Sequence, residues 1–368
     1  MSDEVVLVVE QLRRSVAGGI GTYIRGLLGG LDALGPDAPA LALFASRPPT
    51  GDADPLAGLG HRLQRAPLPA RLLLPAWRLG VAGVRTGAVT HAASLAAPPS
   101  RPPLAVTVHD LAWRALPAAF PPRGRRWHEA ALRRAMREAA AFVVPSDPVA
   151  AALAEAGVAP GRIHVIAEGA DHLPPPDWAG ARRLLGRLGV RGPFLLSVAT
   201  LEPRKNLLRL VRAYGAARAA LPEPWPLVVL GPSGWGDAAR ALAAPPPGVV
   251  LGGRVDDGVL AGCYALARCC AYVPLLEGFG LPVVEAMAAG VPVVASPVPS
   301  AGEAALLVEP TDEEAIAAGL VAAASDEATR ERLVAAGTAH VASLRWRTTA
   351  AAHVQLWREL RGAGRRPR

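Results

Sequence analysis

Three residue types are scarce in this sequence: lysine, asparagine and cysteine. Lys205 is the only lysine among 39 basic residues, and Asn206 beside it is the only asparagine in the 368 residues. The cysteines, Cys263, Cys269 and Cys270, are clustered and odd in number. This excludes a disulfide framework, matches no metal-ligand spacing and is typical of a reducing compartment. We therefore expect a cytoplasmic protein.

The isolated lysine needs an explanation. Alanine, glycine, proline and arginine are abundant, which is typical of a GC-rich genome in which arginine replaces lysine wherever only the charge matters. Lys205 would then remain because its compact ammonium on a flexible stem differs from the planar guanidinium of arginine. Chance survival on a helix surface is the alternative, and on this fact alone the two are equal.

Long uninterrupted hydrophobic runs are also absent. The most apolar stretch, residues 279–298, has about the length of a membrane span, but it contains Glu285 and is interrupted by proline and glycine. It therefore predicts a loop, a short helix and a strand. The acidic start, "MSDEVVLVVE", differs from a signal peptide, so we expect none.

The charge is unbalanced towards the basic side. The net charge is +8, and arginines concentrate in residues 123–138 and 361–368. Such a surface favours peripheral contact with an anionic membrane or a phosphate-bearing acceptor, although compositional bias explains a solvated arginine face equally well. No nucleic-acid-binding motif accompanies the charge, so we expect no nucleic acid partner.

Short apolar runs alternate with amphipathic stretches along the whole chain, five in the first half and six in the second. This pattern predicts an α/β fold with parallel strands buried on both faces. A proline-rich stretch near residues 171–180 resembles a linker. We predict two doubly wound, Rossmann-like domains, residues 1–185 and 186–345, with a C-terminal helix at 346–360 that could pack back on the first.

Two stretches of the first half are candidates for ligand binding. "AGGIGTYIRGLL" follows the first predicted strand, and its glycines, Gly19 among them, allow backbone N–H groups to approach an anion or a sugar. A plain tight turn is the alternative. His109 lies at the end of the strand in "TVHDLAW", at the edge where open α/β sheets bind ligands. A functional and a structural role are about equally expected for it.

The stretch "LEPRKNLLRL" follows the predicted strand "PFLLSVAT". Arg204 and Lys205 would thus lie near a helix N-terminus at the carboxyl edge of a sheet. Two cations and the positive helix end suit a diphosphate, and they would stabilise the charge of a departing diphosphate. A solvated helix start, the alternative, would tolerate arginine at position 205.

The most specific stretch is "EGFGLPVVEAMAAGVPVV". Glu277 follows a predicted strand, and Gly278 and Gly280 allow backbone amides to face a ligand. Glu285 lies about one turn into the next helix, where a carboxylate can accept hydrogen bonds from both ribose hydroxyls. Glu277 can do the same for a sugar, or stabilise positive charge at a reacting sugar carbon. Two surface glutamates beside a buried helix are the weaker alternative.

The sequence also contains an Asp-x-Asp pair, which is one possible metal-binding pattern. Asp52 and Asp54 have the spacing that some sugar-transferring enzymes use to hold a divalent ion, but they lie in a proline- and glycine-rich loop. No predicted strand precedes this loop to fix them. We therefore interpret both as solvated turn residues and expect no metal.

The order and spacing of these stretches resemble glycosyltransferase family 4, the retaining, metal-independent enzymes of GT-B fold, over nearly the whole chain. Glu277 and Glu285 in E-x7-E spacing, together with Arg204 and Lys205, are the most specific part. The resemblance implies two Rossmann-like domains facing each other across a cleft, the second of which binds a nucleotide sugar. It implies no metal and no other cofactor.

The resemblance also implies a role for each matching residue. Glu285 would hold the ribose, Arg204 and Lys205 the diphosphate, and Glu277 the sugar. Two departures from the family are a shorter loop at 297–304 and "AEGAD" where relatives often have Pro-Asn-Gly, a change we expect to matter little. Further positions implied to contact donor or acceptor are Gly278, Phe279, Gly280, Leu281, Gly19 and His109.

The function implied by the resemblance is transfer of a hexose to a hydroxyl of a glycan or lipid-linked acceptor, with retained configuration. The "HDL" stretch favours mannosyltransferase-like members, and hence GDP-mannose as donor. One alternative is a GT-B nucleotide-sugar epimerase, which would turn over the donor without an acceptor. Another is a catalytically silent nucleotide-sugar-binding subunit, which the shorter loop makes plausible.

Overall fold

The computed structural model describes residues 4–14, 16–48, 54–223 and 225–363. The chain forms two compact units. Unit 1 comprises Met1–His172 and Trp346–Arg368, and unit 2 comprises Leu173–Arg345. Each unit is built on one parallel sheet with flanking helices.

The strands of both sheets follow one topological rule. In unit 1 they are β1 (Val5–Val8), β2 (Leu41–Arg47), β3 (Arg62–Pro69), β4 (Val89–Ala92), β5 (Leu104–Thr107), β6 (Ala141–Val144) and β7 (Ile163–Val165). In unit 2 they are β8 (Leu195–Val198), β9 (Leu227–Leu230), β10 (Val249–Gly253), β11 (Cys269–Tyr272), β12 (Val293–Ala295) and β13 (Leu306–Leu307). The spatial orders are β3-β2-β1-β4-β5-β6-β7 and β10-β9-β8-β11-β12-β13. Strand order therefore reverses between β1 and β4 and between β8 and β11, as in doubly wound folds.

Helices connect most of the strands. They are α1 (Gly18–Leu34), α2 (Ala70–Arg78), α3 (Ala112–Ala115), α4 (Pro122–Glu138), α5 (Asp147–Glu155), α6 (Trp178–Arg187), α7 (Leu207–Ala217), α8 (Gly236–Ala241), α9 (Asp257–Leu266), α10 (Leu281–Ala288), α11 (Glu313–Ser325), α12 (Glu327–Val341) and α13 (Trp346–Ala363). Parallel strands need such crossovers, because consecutive parallel strands cannot be joined by a tight hairpin.

Alternate residues of the unit 1 strands face two helical layers. Phe142 of β6 packs in one core with Leu73 of α2 and Leu132 of α4. The next residue, Val143, packs in another core with Leu356 of α13. Successive strand residues point to opposite faces, so both faces of this sheet are covered by helices.

The last helix packs closely on α1. A Cβ atom at Gly26 would lie 2.1 Å from the ring of Trp346, and one at Gly30 would lie 2.2 Å from the Trp346 carbonyl oxygen. The two glycines therefore allow α1 and α13 to approach each other. The described helix extends to Ala363, three residues beyond its predicted end.

The boundary between the units lies earlier than the predicted 185/186. The Asp177 N–H donates to the Gly258 carbonyl at 2.9 Å, and a Cβ at Gly262 of α9 would lie 2.8 Å from Ala181 of α6. Because α6 packs against α9, residues 173–185 belong with unit 2.

The apolar stretch 279–298 is divided as its glycines and prolines indicate, into a turn, α10 and β12. Across the described ranges, no helix has both the length and the apolar character needed to cross a membrane. Cys263, Cys269 and Cys270 are buried free thiols.

Candidate active site

The switch point of unit 2 gathers most of the predicted residues. Arg204 and Lys205 follow β8, and Glu277 follows β11, the strand at which the order reverses. In open α/β sheets, ligands bind outside the carboxyl ends of the strands at this point. The topology therefore places the predicted diphosphate and sugar contacts of unit 2 on one edge of its sheet.

Asn206 shapes the turn that carries the two cations. Pro203–Lys205 form one turn of 3-10 helix, which ends at Asn206 in the left-handed conformation, with φ of 59°. Asparagine tolerates this conformation better than most residues. Its side-chain amide donates to the carbonyl of Val273, at 2.9 Å, and to that of Pro310, at 2.7 Å. The single asparagine is thus explained by its structural role in fixing this turn.

One carboxylate oxygen collects the polar contacts of the site. Glu277 Oε1 accepts from Lys205 Nζ at 2.6 Å and from the Tyr272 hydroxyl at 2.9 Å. Arg204 Nη1 forms an ion pair with the same oxygen at 2.9 Å. Among the described residues, these three contacts all use Oε1 of Glu277.

The charge balance of this cluster keeps Glu277 ionised. Burial raises the pKa of the Glu277 carboxyl, but Lys205 and Arg204 outweigh it and hold the pKa below its usual value. Burial and then the charge of Glu277 raise the pKa of Tyr272 well above the usual range, so its hydroxyl stays protonated. Arg204 also pairs with Glu202 at 3.0 Å.

Tyr272 and Glu202 were missed by the sequence analysis. Tyr272 lies inside an apolar strand and looked like a core residue, yet its hydroxyl also accepts from Lys205 Nζ at 2.9 Å. Glu202 lies two residues before Arg204. Ion pairs are expected from sequence at spacings of three or four residues on a helix, so this pair was not predicted. Both set the position of the cations.

The glycine turn before α10 is held by the short loop 297–304. Gly280 has φ of 106°, and a Cβ there would lie 2.8 Å from Ser300 Oγ. The Ser300 hydroxyl donates to the Gly280 carbonyl at 2.8 Å, and its N–H donates to Phe279 O at 3.0 Å. The turn that includes Gly278 is therefore fixed on this side, while Phe279 and Leu281 are buried. The loop 297–304 therefore packs directly against this turn.

Glu285 lies on α10, largely buried at 6% exposure. The Tyr264 hydroxyl of α9 donates to Glu285 Oε2 at 2.8 Å. Burial and then the charge of Glu285 raise the pKa of Tyr264 well above its usual value. Tyr264 thus acts as a fixed donor that orients the carboxylate predicted to hold the ribose.

In unit 1, His109 follows β5 and lies between two acceptors. Its Nε2 is 3.0 Å from the Ala93 carbonyl oxygen, and its Nδ1 is 3.3 Å from Glu168 Oε1. A carbonyl and an ionised carboxylate can only accept, so this arrangement favours the imidazolium form, in which both ring nitrogens carry protons. Burial lowers the pKa of His109, but the hydrogen bond and charge of Glu168 outweigh it and raise the pKa above its usual value.

Glu168 is the second residue of "AEGAD", the change we expected to matter little. Its side chain is 5% exposed and faces His109. The ring of Tyr23, from α1, meets the His109 ring edge-on at 4.8 Å, and the Tyr23 hydroxyl is 2.8 Å from His353 Nε2. His109 is thus held by partners from three places in unit 1, Ala93 after β4, Glu168 after β7 and Tyr23 of α1.

The predicted glycine site begins α1. Gly18 has φ of 59°, and a Cβ at Gly21 would lie 2.4 Å from the Cβ of Ala17. Backbone conformation and packing therefore require glycine at those two positions. At Gly19, by contrast, no atom of the described chain lies within 4 Å of a Cβ. Gly19 is exposed in the first turn of the helix, where backbone N–H groups lack helical partners.

The interpretation of the Asp-x-Asp pair as solvated turn residues is wrong for Asp54. Asp54 is not solvated: it pairs with Arg13 at 2.9 Å, and its side chain is 10% exposed. Burial raises the pKa of Asp54, but the Leu56 N–H and Arg13 outweigh it and lower the pKa. Asp52 lies outside the described residues. Within the described ranges, no group of three His, Cys, Asp or Glu side chains could hold a metal ion.

Solved structures match the fold over almost the whole chain. HepE from Anabaena, in complex with UDP and glucose, has a TM-score of 0.73 at 18% identity, and the match covers 97% of this chain and 99% of that one. Sucrose-phosphate synthase from Thermosynechococcus elongatus has a TM-score of 0.72 at 23% identity, covering 98% and 100%. These structures confirm the predicted fold class, GT-B with two Rossmann-like units.

Sequence comparisons identify the family. The O-antigen chain mannosyltransferase B of Escherichia coli is 39% identical over 132 residues, 33% of this chain and 34% of that protein. The D-inositol 3-phosphate glycosyltransferase of Rhodococcus jostii is 35% identical over 160 residues, 40% and 35%. The match thus spans about a third of each relative. The Glycosyltransferase Family 4 model matches residues 17–173, and the Glycosyl transferases group 1 model matches residues 192–326. With one model on each half, the chain belongs to the family 4 glycosyltransferases.

Proposed function

We propose that this protein is a retaining hexosyltransferase. It moves a hexose, with mannose as the first candidate, from a nucleotide diphosphate sugar to a hydroxyl of a glycan or lipid-linked acceptor. The observation that carries the proposal is the cluster of Arg204, Lys205 and Glu277 at the switch point of unit 2. The similarity to a mannosyltransferase supports mannose, and UDP-glucose is the second candidate because the fold is shared with a UDP- and glucose-binding protein.

The chemistry follows from the charges. Breaking the bond between the sugar C1 and the diphosphate oxygen leaves negative charge on the diphosphate and positive charge on the sugar ring. In this proposal Arg204 and Lys205 stabilise the first, and Glu277 accepts from a sugar hydroxyl or stabilises the second. The acceptor oxygen bonds to C1 on the face that the diphosphate leaves, and its proton passes to a diphosphate oxygen.

We propose that this reaction needs no metal, because two side-chain cations take the leaving-group charge. Glu285, oriented by Tyr264, holds the ribose of the donor. The roles in sugar and acceptor binding of Gly19, His109 and the turn from Gly278 to Leu281 remain predictions from the family resemblance.

The test is a donor panel with purified protein. GDP-mannose, UDP-glucose and UDP-N-acetylglucosamine are each incubated with and without acceptors, in EDTA, while nucleoside diphosphate release is measured. We expect release from one donor that increases with acceptor, and a product with the anomeric configuration of the donor. Donor conversion without acceptor would indicate an epimerase, and binding without turnover a silent subunit.

A further inference from the structure

Unit 1 has a groove between α2 and α4, on the sheet face opposite α13. It consists of three adjoining pockets of about 460, 280 and 540 Å³. Arg78 lines all three, and Leu74 and Trp127 line the first two. The pockets therefore form one continuous feature, which we call the α2–α4 groove.

The pocket of about 460 Å³, between α2 and the first turns of α4, is strongly basic. Arg71, Arg78, Arg123 and Arg126 line it, and all four are exposed. Among the described residues, no carboxylate lies within ion-pair distance of any of them, whereas Arg134 further along is paired with Glu138. Four cations without a counter-charge around one pocket favour an anion with several oxygens.

The middle of the groove is largely apolar. Leu74, Trp77, Leu95, Trp127 and Ala131 line the pocket of about 280 Å³ next to the basic one, together with the charged residues Arg78, Arg134, Arg137 and Glu138. Removing the CH₂ groups of a long aliphatic chain from water is favourable, and the gain grows with chain length. An apolar channel that continues directly from a basic pocket suits a ligand whose anionic head is joined to an aliphatic chain.

We propose that the α2–α4 groove binds a phosphorylated amphiphile, with its phosphate or diphosphate head among the four arginines and its chain along Leu74 and Trp127. This inference deepens the proposed function, since it identifies the acceptor class as lipid-linked, and in that respect it rests on the proposed transfer. The binding itself needs no donor. Two sources share this chemistry: a lipid-linked acceptor and an anionic phospholipid.

The test measures binding to the full-length protein by calorimetry. The probe is farnesyl diphosphate, compared with inorganic diphosphate, which has no chain, and farnesol, which has no phosphate. The variants are the pair Arg123→Ala with Arg126→Ala for the head, and Ala131→Trp to fill the apolar pocket. Arg133→Ala is the control, because Arg133 is exposed on the same helix and lines none of the pockets.

We expect farnesyl diphosphate to bind at least about ten-fold more tightly than either partial probe, a difference of one decade in Kd. Both groove variants should weaken its binding by ten-fold or more, with circular dichroism unchanged, and Arg133→Ala should leave it within two-fold. Equal binding of inorganic diphosphate, or equal losses in Arg133→Ala, would overturn the proposal.

Vesicles of phosphatidylcholine with 30 mol% phosphatidylglycerol then separate the two sources. If farnesyl diphosphate binds and these vesicles do not compete for the groove, the lipid-linked source is supported. If vesicles bind and farnesyl diphosphate does not, the groove proposal fails in favour of surface attraction. Transfer to a soluble acceptor by a protein that binds no farnesyl diphosphate would overturn this inference while leaving the proposed function intact.

Discussion

The two units each place a carboxylate against cations at the carboxyl edge of a parallel sheet, but the cations differ. In unit 2, Glu277 meets Lys205 and Arg204, whose charges are permanent near neutral pH. In unit 1, Glu168 meets His109, whose charge depends on pH. The same arrangement is therefore constant in one unit and titratable in the other.

This difference predicts how each cluster responds to substitution and to pH. In unit 2, a diphosphate bound as proposed would compete with Glu277 for the same two cations, so removal of Glu277 should affect ligand binding and turnover in opposite directions. In unit 1, both ring nitrogens of His109 already have acceptors. Its charge ties together chain segments that follow β4, β5 and β7, and its loss should loosen that edge.

The largest effect should come from removing a cation of unit 2. Lys205→Ala should lower kcat by roughly 10²-fold or more, because one group that stabilises the leaving diphosphate is lost. Arg204→Ala should act similarly, while Arg212→Ala, on the exposed face of α7, should change kcat less than two-fold. Steady-state kinetics with the identified donor measure all three. Unchanged kcat in both site variants would contradict the assigned role.

A smaller and divided effect is expected for Glu277→Gln. The neutral amide releases the two cations, so we expect tighter binding of the nucleoside diphosphate product. Turnover should fall by roughly ten-fold or more, since an electrostatic contact to the reacting sugar is lost. Calorimetry and kinetics on the same preparation separate the two. A fall in both affinity and turnover would indicate that Glu277 mainly holds the cations in place.

The unit 1 cluster should show itself in the pH dependence of stability. The folded-state pKa of His109 is raised, so its contribution is complete below the unfolded value of about 6.5 and is lost as pH rises through the folded pKa. Glu168→Gln should therefore cost about 1–2 kcal/mol of unfolding free energy at pH 6, and less at higher pH. Urea unfolding across this range measures it.

The pKa of the His109 ring is measured by NMR in the same Glu168→Gln protein. We expect this pKa to be lower than in the wild type. Asp110 also raises this pKa, so Asp110→Asn is the control for a purely through-space effect. A Glu168→Gln protein with an unchanged His109 pKa would rule out the ion pair.

The smallest effect is expected from Tyr264→Phe. The change removes one hydrogen bond to Glu285 and leaves the ring in place. We expect a loss of about 1 kcal/mol in stability and a several-fold weaker affinity for nucleotides. Thermal unfolding and nucleotide titration measure the two. If nucleotide affinity is unchanged while stability falls, the Tyr264 contact is purely structural.

The sequence predicted the unit 2 edge better than the unit 1 edge for a physical reason. The residues around Glu277 lie in short segments directly after apolar strands, where topology alone brings their ends together. His109 has the same kind of position, but its partner Glu168 is 59 residues away and follows a different strand. Such a pairing depends on side-chain direction, which a single sequence does not contain.

Strand prediction failed at two places in unit 1. β3, "RLQRAPLP", mixes arginine, glutamine and proline with apolar residues at the sheet edge, and β4, "VTHA", contains buried polar side chains. His91 of β4 can be buried because Thr107 and Trp357 form hydrogen bonds with its two ring nitrogens. All six strands predicted in the second half are present, because each is a nearly continuous apolar run.

Calorimetry of donor binding to the wild type and to Lys205→Arg tests most directly whether Arg204 and Lys205 bind the donor diphosphate. The swap keeps the charge and changes only the shape of the group that reaches Glu277 and Tyr272. Arg212→Lys, on the exposed face of α7, is the matched control. We predict that one of the three nucleotide sugars binds, and that Lys205→Arg weakens it by about ten-fold. Equal affinity in the wild type and Lys205→Arg, or no donor binding at all, would contradict the account.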